Sequence, residues 1–451
     1  MLVRQAWHAG RARMGPRSSS ALSRKHLGLV LDVLPLALLV VLILNVKSVL
    51  AVVSYCVSLL GFTLVQATLI LSLPLVYDLP KAVGKAAILL YEDFRSRLAD
   101  GRGVSESFGV SVIVPAHNEE KNIERCIEAI LEAPYTPKQV IVVDDGSTDA
   151  TFDKAQRFHG RGDFLVVKKE AGGTRAGPCN YGTRFATQPV YVFIDADTLM
   201  YRGSLLAIAS PFRDPSVIGV SGNVRVYNTN NLLERMQAYE YMLSMEVGRR
   251  FQGLVHTLLI VPGGFGAIRA DIFKTIGEYD ISLAEDFDST LKMHKTGGKI
   301  VFADEAIALT VVPRTWKAWA KQRVRWASGQ QETLRKHRNI LLKRKYGIPG
   351  LFGAPEMILA DFLILFARCI WTVALLITAW QHLLQVTALA YALYMGLEIL
   401  SAYVGSIVTR LKGDIRFVAV LPLVVFLYRP LHDVVRLVSY VGSALGMKLK
   451  W

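Results

Sequence analysis

The sequence VYVFIDAD occupies residues 190–197 and places a short apolar run directly before two aspartates. The run consists of β-branched and aromatic residues, which is typical of a strand buried on both faces of a sheet. Other runs of this kind precede it. Strands are predicted at Val110–Val114, Val140–Val143, Leu165–Val167 and Val190–Ile194, with a helix at Glu119–Leu131. This alternation of strands and helices predicts an α/β domain with a mostly parallel sheet.

Polar loops follow three of these strands, at Pro115–Glu119, Asp144–Ser147 and Asp195–Asp197. Ligands bind such sheets at the carboxyl ends of parallel strands, so the three loops are expected to meet at one rim. This convergence is better evidence for a site than any single motif. No Gly-x-Gly-x-x-Gly follows the first strand and the sequence has no Walker loop, which argues against dinucleotide and P-loop functions.

Asp195 and Asp197 follow the last of these strands. Alternate residues at a strand end face the same side, so both carboxylates can bind one divalent cation. Mg²⁺ or Mn²⁺ held there would bridge the two phosphates of a nucleotide-sugar. The alternative is an ordinary polar strand end, and the loop Asp144–Ser147 likewise has the composition of a simple turn and helix cap.

Glu285 and Asp286 open a predicted amphipathic helix that runs to about His294. Displacement at an anomeric carbon needs a base within hydrogen-bond reach of the attacking hydroxyl, and Asp286 is the candidate. Acidic residues in a first helical turn also suit the helix dipole, so capping is the alternative. Shortly before lies the glycine-rich stretch 263–266, where Gly264 would let the backbone approach a sugar closely, although a simple loop would look the same.

Gln322, Arg325 and Trp326 recur at i, i+3 and i+4, so a helix would carry all three on one face. Arg325 can pair with diphosphate oxygens, and Trp326 can stack on an acceptor sugar. The surrounding segment, 313–356, is also rich in Trp, Lys and Arg. A helix lying on the bilayer surface has the same composition, and the two roles are compatible.

Apolar segments on both sides place this domain at a membrane. The net charge is +15, but the basic residues flank apolar runs without a nucleic-acid-binding pattern, so nucleic acid is not an expected partner. The predicted organisation is a basic cytoplasmic arm at 1–26, two transmembrane helices at 27–77, a cytoplasmic connector at 78–109, the α/β domain at 110–312, interfacial helices at 313–356 and a C-terminal transmembrane region at 357–451. The distribution of Lys and Arg puts the N-terminus and the middle domain in the cytoplasm.

Individual spans are predicted at Leu27–Leu44, Val49–Val76, Met357–Trp380 and Thr387–Val408. The final stretch is either one kinked helix ending outside or two half-segments returning inside, and the first is favoured. Ionisable residues lie at membrane depth, where charges are costly. Asp32 and Asp361 either reach the interface near helix ends or face the protein interior. Arg368 and Glu398 fall mid-span, and they either line a polar path or pair with each other.

Five motifs, in this order, resemble those of a known family. They are Pro-Ala-His-Asn-Glu at 115–119, Asp-Asp-Gly-Ser-Thr-Asp at 144–149, Asp-Ala-Asp-Thr at 195–198, Glu-Asp at 285–286 and Gln-Arg-Val-Arg-Trp at 322–326. From about Val110 to His337 the chain resembles the membrane-bound inverting GT-A glycosyltransferases of family 2, the group of cellulose, hyaluronan and chitin-oligosaccharide synthases. Within this group the likeness is closest to bacterial poly-β-1,6-N-acetylglucosamine synthases.

The resemblance implies a role for each motif. Pro115, Glu119 and Asp144 would hold the uridine, Asp195 would contact the diphosphate, Asp197 would bind the metal, Asp286 would be the base, and Gln322, Arg325 and Trp326 would hold the diphosphate and the acceptor end. Two departures blur the choice of substrate. Arg175 replaces the phosphate-binding lysine that the family usually has, and Ala284 stands where a threonine often precedes Glu-Asp.

The implied function is processive transfer of a sugar, preferentially N-acetylglucosamine, from a UDP-sugar to a growing β-linked polysaccharide, with inversion and export across the membrane. The enzyme would use Mg²⁺ or Mn²⁺ and lie in the inner or plasma membrane, with its catalytic domain in the cytoplasm and room for a small membrane helper subunit. The nearest rival is non-processive transfer to a lipid acceptor, as in ceramide glucosyltransferases. A remoter rival is an inactive transferase domain on a membrane transporter or scaffold.

Overall fold

The computed structural model describes residues 77–98, 108–378 and 380–445, together with the separate positions 51, 54, 55, 58 and 63. The predicted basic arm at 1–26 and the span Leu27–Leu44, with Asp32, therefore lie outside the described residues, as does most of the span Val49–Val76. The structural statements that follow concern the described parts of the chain.

The secondary structure alternates strands and helices up to residue 310 and is helical from there on. The strands are β1 (Val110–Ala116), β2 (Lys138–Asp145), β3 (Phe164–Lys169), β4 (Val190–Ile194), β5 (Leu199–Met200), β6 (Val217–Val226), β7 (Phe265–Arg269) and β8 (Lys299–Thr310). The helices are α1 (Leu79–Leu98), α2 (Ile123–Leu131), α3 (Thr151–Gln156), α4 (Ala176–Thr183), α5 (Ser204–Ala209), α6 (Leu232–Leu243), α7 (Arg250–Leu254), α8 (Ala270–Thr275), α9 (Glu285–Thr296), α10 (Trp316–Lys336), α11 (Ala354–Ile358), α12 (Ile364–Thr378), α13 (Leu383–Val408), α14 (Leu421–Leu423) and α15 (Arg429–Ala444).

The described strands form one sheet in the order β3-β2-β1-β4-β7-β6-β8-β5. The first four strands of the chain pair in parallel, and so do β6 and β8. β7 is inserted antiparallel between β4 and β6, and β5 runs antiparallel to β8. The predicted α/β domain with a mostly parallel sheet is therefore confirmed.

The helix after β1 begins four residues later than predicted, at Ile123 instead of Glu119. Side chains from the next loop hold the intervening backbone: Glu119 N–H donates to Thr151 Oγ1 at 2.7 Å, and Glu120 N–H donates to Asp149 Oδ2 at 3.2 Å. Asn118 has a φ of 55°, which breaks helical geometry. Hydrogen bonds therefore connect the segment after β1 to the segment after β2 before α2 begins.

The predicted helix at 285–294 is present as α9. It carries the buried His294, whose protonation makes the stability of the fold depend on pH. His294 Nε2 lies 2.7 Å from the Leu258 carbonyl oxygen. Burial lowers the pKa of His294 to about 4, so the unfolded chain, with a pKa near 6.5, binds this proton more readily. The stability that this histidine contributes is present above about pH 6.5 and is lost as the pH falls to about 4, a total of about 3 kcal/mol.

Between pH 7 and pH 5 we therefore expect the wild type to lose more thermal stability than His294→Gln, whose amide can still donate to Leu258 but does not titrate. Melting temperatures of the detergent-solubilised protein measure this. Parallel pH curves for the two proteins would contradict the prediction.

Three helical runs in the described residues are long and apolar enough to cross a membrane: Pro349–Ala374, Leu384–Val408 and Lys412–Ser443. The first begins eight residues before the predicted Met357, and the second agrees closely with the predicted span. The last is one run that contains 3₁₀ and π turns, as expected for a single interrupted helix and not for two half-segments. The side on which it ends stays a prediction.

The α/β domain and the membrane helices share a hydrophobic core. Tyr239 on α6 and Trp319 on α10 are buried in one cluster with Ala402 of α13 and with Phe417 and Tyr428 of the last run. Trp319 Nε1–H also donates to the Tyr428 hydroxyl at 2.8 Å. The helices α6 and α10 are therefore packed directly onto the runs that are long enough to cross a membrane. We name this group of residues the junction core.

Arg368 and Glu398, which were predicted at membrane depth, form ion pairs with residues of other helical segments. An ion pair between Arg368 and Glu398 was one expectation, and it is wrong. Arg368 Nη2 lies 3.0 Å from Asp78 Oδ2, while Glu398 Oε2 lies 2.7 Å from Arg429 Nη2. Arg368 is thus paired with an aspartate just before α1, and Glu398 with an arginine at the start of α15. Because each already has an oppositely charged partner, the two do not pair with each other.

Candidate active site

A cavity of about 600 Å³ lies between the ends of β4 and β8, the start of α9, the middle of α10 and the membrane helices. It gathers most of the side chains singled out in the sequence. Those that line it are Arg175, Asp195, Asp197, Gly264, Asp286, Gln322, Arg325 and Trp326. Its far end is lined by Asp361 and Arg436, whose side chains pair at 2.7 Å between two membrane runs. The cavity therefore extends from the sheet rim to the membrane region.

The three residues predicted to hold a uridine do not line this cavity. Pro115 and Asp144 lie on β1 and β2, which are paired in parallel, and Glu119 follows in the adjoining loop. Asp144 is only 1% exposed. Its Oδ2 accepts no hydrogen bond within the described residues, and its ionic partner Lys168 is 3.9 Å away. A buried acceptor without a donor is costly, so this atom suits a ligand N–H.

The aspartate pair comes immediately after β4, in a turn that the Thr198 N–H closes by donating to the Asp195 carbonyl at 2.9 Å. Asp197 accepts hydrogen bonds from Thr198 at 3.2 Å and Thr310 at 3.4 Å. Burial, and then the charges of Asp195 and Glu119, raise the pKa of Asp197 to about 7. A cation beside this carboxylate would relieve the unfavourable concentration of negative charge.

The carboxylates fit a cation that arrives with a substrate. The described residues contain no group of three or more His, Cys, Asp or Glu side chains arranged to hold a metal ion by themselves. Mg²⁺ is commonly bound through one or two carboxylates, with water and substrate phosphates completing its shell. Asp195 and Asp197 provide that number of protein ligands.

Arg175 precedes α4 and reaches across the cavity. Its Nε–H donates to Asp195 Oδ1 at 2.6 Å, and its Nη2–H donates to the Gly263 carbonyl at 2.5 Å. A third contact joins Nη1 to Glu285 Oε1 at 3.4 Å. This arginine, predicted to contact a diphosphate, is thus held by two carboxylates.

Asp286 is half-buried in the first turn of α9, and its Oδ1 accepts the Phe287 N–H at 2.8 Å. The N-cap position itself is occupied by Ala284, which makes no side-chain cap bond, and the Asp286 side chain lines the cavity. The guanidinium of Arg249, which sequence reasoning missed, lines the same cavity. Burial lowers the pKa of Arg249, and the charge of Asp286 opposes that change. The two groups are therefore electrostatic neighbours.

The motif Gln-Arg-Val-Arg-Trp lies on α10, as predicted, and Gln322, Arg325 and Trp326 line the cavity together. Gln322 Oε1 is buried and accepts no hydrogen bond from the described residues. Arg323, which was not singled out, lies with its guanidinium carbon 4.3 Å from the Trp326 ring centroid. It also donates to Glu240 at 2.5 Å. The tryptophan is thus supported on one face and is still 38% exposed.

Comparison with known proteins finds a family match for part of the chain. Residues 111–277 match the family described as "Glycosyl transferase family 2". The poly-β-1,6-N-acetyl-D-glucosamine synthase of Staphylococcus aureus is 28% identical over 233 residues, 51% of this chain and 57% of that protein. The protein of the same name from Staphylococcus epidermidis is 28% identical over 228 residues, 50% of this chain and 55% of its own length. The chain thus spans little more than half the length of these curated relatives.

Among solved structures, the fold is similar to that of a mannosyltransferase from Pyrobaculum calidifontis in complex with GDP-Man and Mn²⁺. The TM-score is 0.54 at 19% identity, over 82% of this chain and 97% of that one. At this identity the likeness establishes the fold alone.

Proposed function

We propose that this chain, which carries a glycosyltransferase family 2 domain at residues 111–277, transfers a sugar from a UDP-sugar to a growing β-linked polysaccharide. The preferred sugar is N-acetylglucosamine, the monomer named in the curated relatives. One observation carries the proposal: a single cavity joins the aspartate pair and Asp286 to the α10 motif and to the membrane helices. A donor, a base and an acceptor path can therefore meet in one space.

In this proposal the donor lies across the rim of the sheet. Pro115, Glu119 and Asp144 hold the uridine, and the unpartnered Oδ2 of Asp144 accepts a base N–H. Asp195 and Asp197 would hold Mg²⁺ or Mn²⁺, which when bound would supply positive charge beside the diphosphate. These positions agree with the ends of β1, β2 and β4, where ligands bind α/β sheets.

Arg175, Gln322 and Arg325 complete the diphosphate contacts. Arg325 is exposed on the cavity side of α10, so its guanidinium is free to take phosphate oxygens bidentately. Gln322 lines the same wall. As negative charge develops on the diphosphate, donors already placed around it lower the barrier without having to reorganise.

Asp286 acts as the base. It accepts the proton of the acceptor hydroxyl while that oxygen bonds to the anomeric carbon and the bond from that carbon to the phosphate oxygen breaks. The diphosphate leaves with the electron pair of the broken bond. Attack from the face opposite the leaving group inverts the anomeric centre, so an α-linked donor gives a β-linkage.

The acceptor sugar lies against Trp326 and the backbone of Gly264. Asp195 limits the space above Gly264, where an added Cβ would lie 3.3 Å from its Oδ2. The product then passes outward along the membrane helices, with the catalytic domain on the cytoplasmic side. A helper subunit in the bilayer is compatible with this route.

Trp326→Ala is expected to raise the KM for a defined-length oligosaccharide acceptor about fivefold, because aromatic stacking of roughly 1 kcal/mol is lost. Initial rates at varied acceptor concentration measure this effect. Trp316→Ala is the matched control, since Trp316 starts the same helix and is similarly exposed, at 40%, but does not line the cavity. Equal effects of the two substitutions would contradict an acceptor role for Trp326.

The decisive experiment incubates the purified full-length protein in lipid nanodiscs with several radiolabelled UDP-sugars and sizes the products. The proposal expects UDP release and a long polymer from one donor. A glycolipid carrying a single sugar would favour transfer to a lipid acceptor instead. Absence of UDP release with every donor would favour a transporter or scaffold with an inactive domain.

A further inference from the structure

Arg175 occupies a position in which it blocks one of the proposed metal ligands. Its guanidinium binds Asp195 at the end of β4, the carbonyl of Gly263 in the loop before β7, and Glu285 at the start of α9. One side chain therefore ties together three walls of the cavity. While this contact is made, Asp195 Oδ1 is not available to a divalent cation.

The surroundings of this contact are shaped for the guanidinium. A Cβ added at Gly263 would lie 2.5 Å from Arg175 Nη1 and 2.6 Å from its central carbon, so glycine is required for the arginine to lie here. The Arg175 side chain is 21% exposed, and Glu285 is 11% exposed. Burial raises the pKa of Glu285, even though the guanidinium opposes that change.

A divalent cation and a guanidinium cannot both lie on the same side of Asp195 without repulsion. Guanidinium groups also bind phosphate in a bidentate geometry, as they do carboxylate. A nucleotide diphosphate entering the cavity therefore offers Arg175 a second anion. Once the arginine has moved to it, Asp195 becomes available to the cation.

We propose that Arg175 is a positioning residue that exchanges partners: it binds Asp195 and Glu285 in the free protein and transfers to the diphosphate when the nucleotide binds. The same movement releases Asp195 to the divalent cation and Glu285 from its contact beside Asp286. This proposal rests on the donor site of the proposed function. Nucleotide and metal binding are then coupled through one side chain.

The direction of the coupling between UDP binding and Mn²⁺ binding can be measured. In the free wild-type protein Arg175 competes with Mn²⁺, so Mn²⁺ binds weakly until a nucleotide draws the arginine away. UDP therefore strengthens Mn²⁺ binding by two routes, direct phosphate coordination and removal of the competitor. By thermodynamic reciprocity, Mn²⁺ strengthens UDP binding by the same factor.

The test is the Kd for Mn²⁺, measured by electron paramagnetic resonance on the full-length protein in detergent, with and without UDP. Arg175→Gln is expected to bind Mn²⁺ about tenfold more tightly than the wild type without UDP, because Asp195 Oδ1 no longer has to be released from the guanidinium before it can bind the cation. The additional tightening produced by UDP is expected to be about fivefold smaller than in the wild type.

Three further variants separate competition from a general charge effect. Arg184→Gln removes an arginine just after α4 that does not line the cavity, and it should leave both Kd values unchanged. Gly263→Ala keeps every charge but displaces the guanidinium, so it should also tighten Mn²⁺ binding without UDP. Arg175→Lys keeps the charge without the three-way contact and should fall between the wild type and Arg175→Gln.

The proposal is overturned if Arg175→Gln leaves the Kd for Mn²⁺ and its UDP dependence at wild-type values. It is also overturned if Gly263→Ala binds Mn²⁺ as the wild type does, because the effect at Arg175 would then be one of net charge. The experiment needs no turnover. A wild-type protein that couples Mn²⁺ to UDP without transferring sugar would contradict the proposed function and support this inference.

Discussion

Asp286→Asn is expected to lower the rate of sugar transfer by about a thousandfold and to change the Kd for UDP by no more than about twofold. The amide has nearly the same shape as the carboxylate and can still accept the Phe287 N–H that holds α9. It cannot take a proton from the acceptor hydroxyl at neutral pH. Turnover measured from UDP release, together with UDP binding by calorimetry, separates chemistry from binding.

Asp271→Asn is a matched control for this substitution. Asp271 occupies the second position of α8, as Asp286 does in α9, and its Oδ1 accepts the N–H of the next residue, Ile272, at 2.9 Å. It is exposed and does not line the cavity. The control should therefore transfer sugar at the wild-type rate. Retained activity in Asp286→Asn, or equal losses in both variants, would remove the assignment of Asp286 as the base.

Asp197→Asn is expected to cause the other large loss, about a thousandfold in transfer rate, with Mn²⁺ binding weakened at least about tenfold. The side chain is held in place by Thr198 and Thr310, so the amide should occupy the same position. What it lacks is the negative charge that a divalent cation requires. Electron paramagnetic resonance of Mn²⁺ and initial rates over a series of Mn²⁺ concentrations measure the two effects.

Asp153→Asn, an exposed substitution on α3, serves as the control for Asp197→Asn. A variant at Asp197 that kept wild-type Mn²⁺ affinity would show that Asp195 and the nucleotide suffice for the metal. Full activity in the presence of a chelator would contradict metal dependence altogether.

The sequence predicts the first half of the sheet well, for a physical reason. β1, β2 and β4 are buried on both faces, so their sequences are nearly continuous apolar runs. Runs of this kind, each followed by turn-forming residues, can be recognised without knowledge of the tertiary structure. The acidic loops at their ends could be located for the same reason.

The sequence pattern does not predict β6, because its sequence, VIGVSGNVRV, contains polar residues that are fully buried. Asn223 donates to Glu246 at 3.2 Å, and Arg225 pairs with Asp414 at 3.0 Å. Both partners are distant in sequence. A buried polar residue is tolerated where another element satisfies it, and a single sequence does not show which element that is.

The residues of the candidate site likewise fall into two groups, those that the sequence could identify and those that it could not. Asp195, Asp286 and Trp326 could be found because each lies in a short motif whose chemistry is readable locally. Arg249 and Glu240 could not, because their importance comes from neighbours more than thirty residues away along the chain, Asp286 and Arg323. For Arg323 there was a usable signal: it lies three residues before Trp326, on the same helical face.

The junction core also decides how far this protein can be dissected. The Tyr428 hydroxyl, on the last apolar run, accepts hydrogen bonds from the Trp319 indole N–H at 2.8 Å and from the Arg323 guanidinium at 3.2 Å. A fragment ending before residue 412 would leave the indole and guanidinium groups without this hydroxyl and expose the apolar faces of α6 and α10 that pack against the last run. The cavity and the apolar runs are therefore not modular in this chain, and biochemical work on a detached domain would report on a protein whose α10 has lost part of its packing.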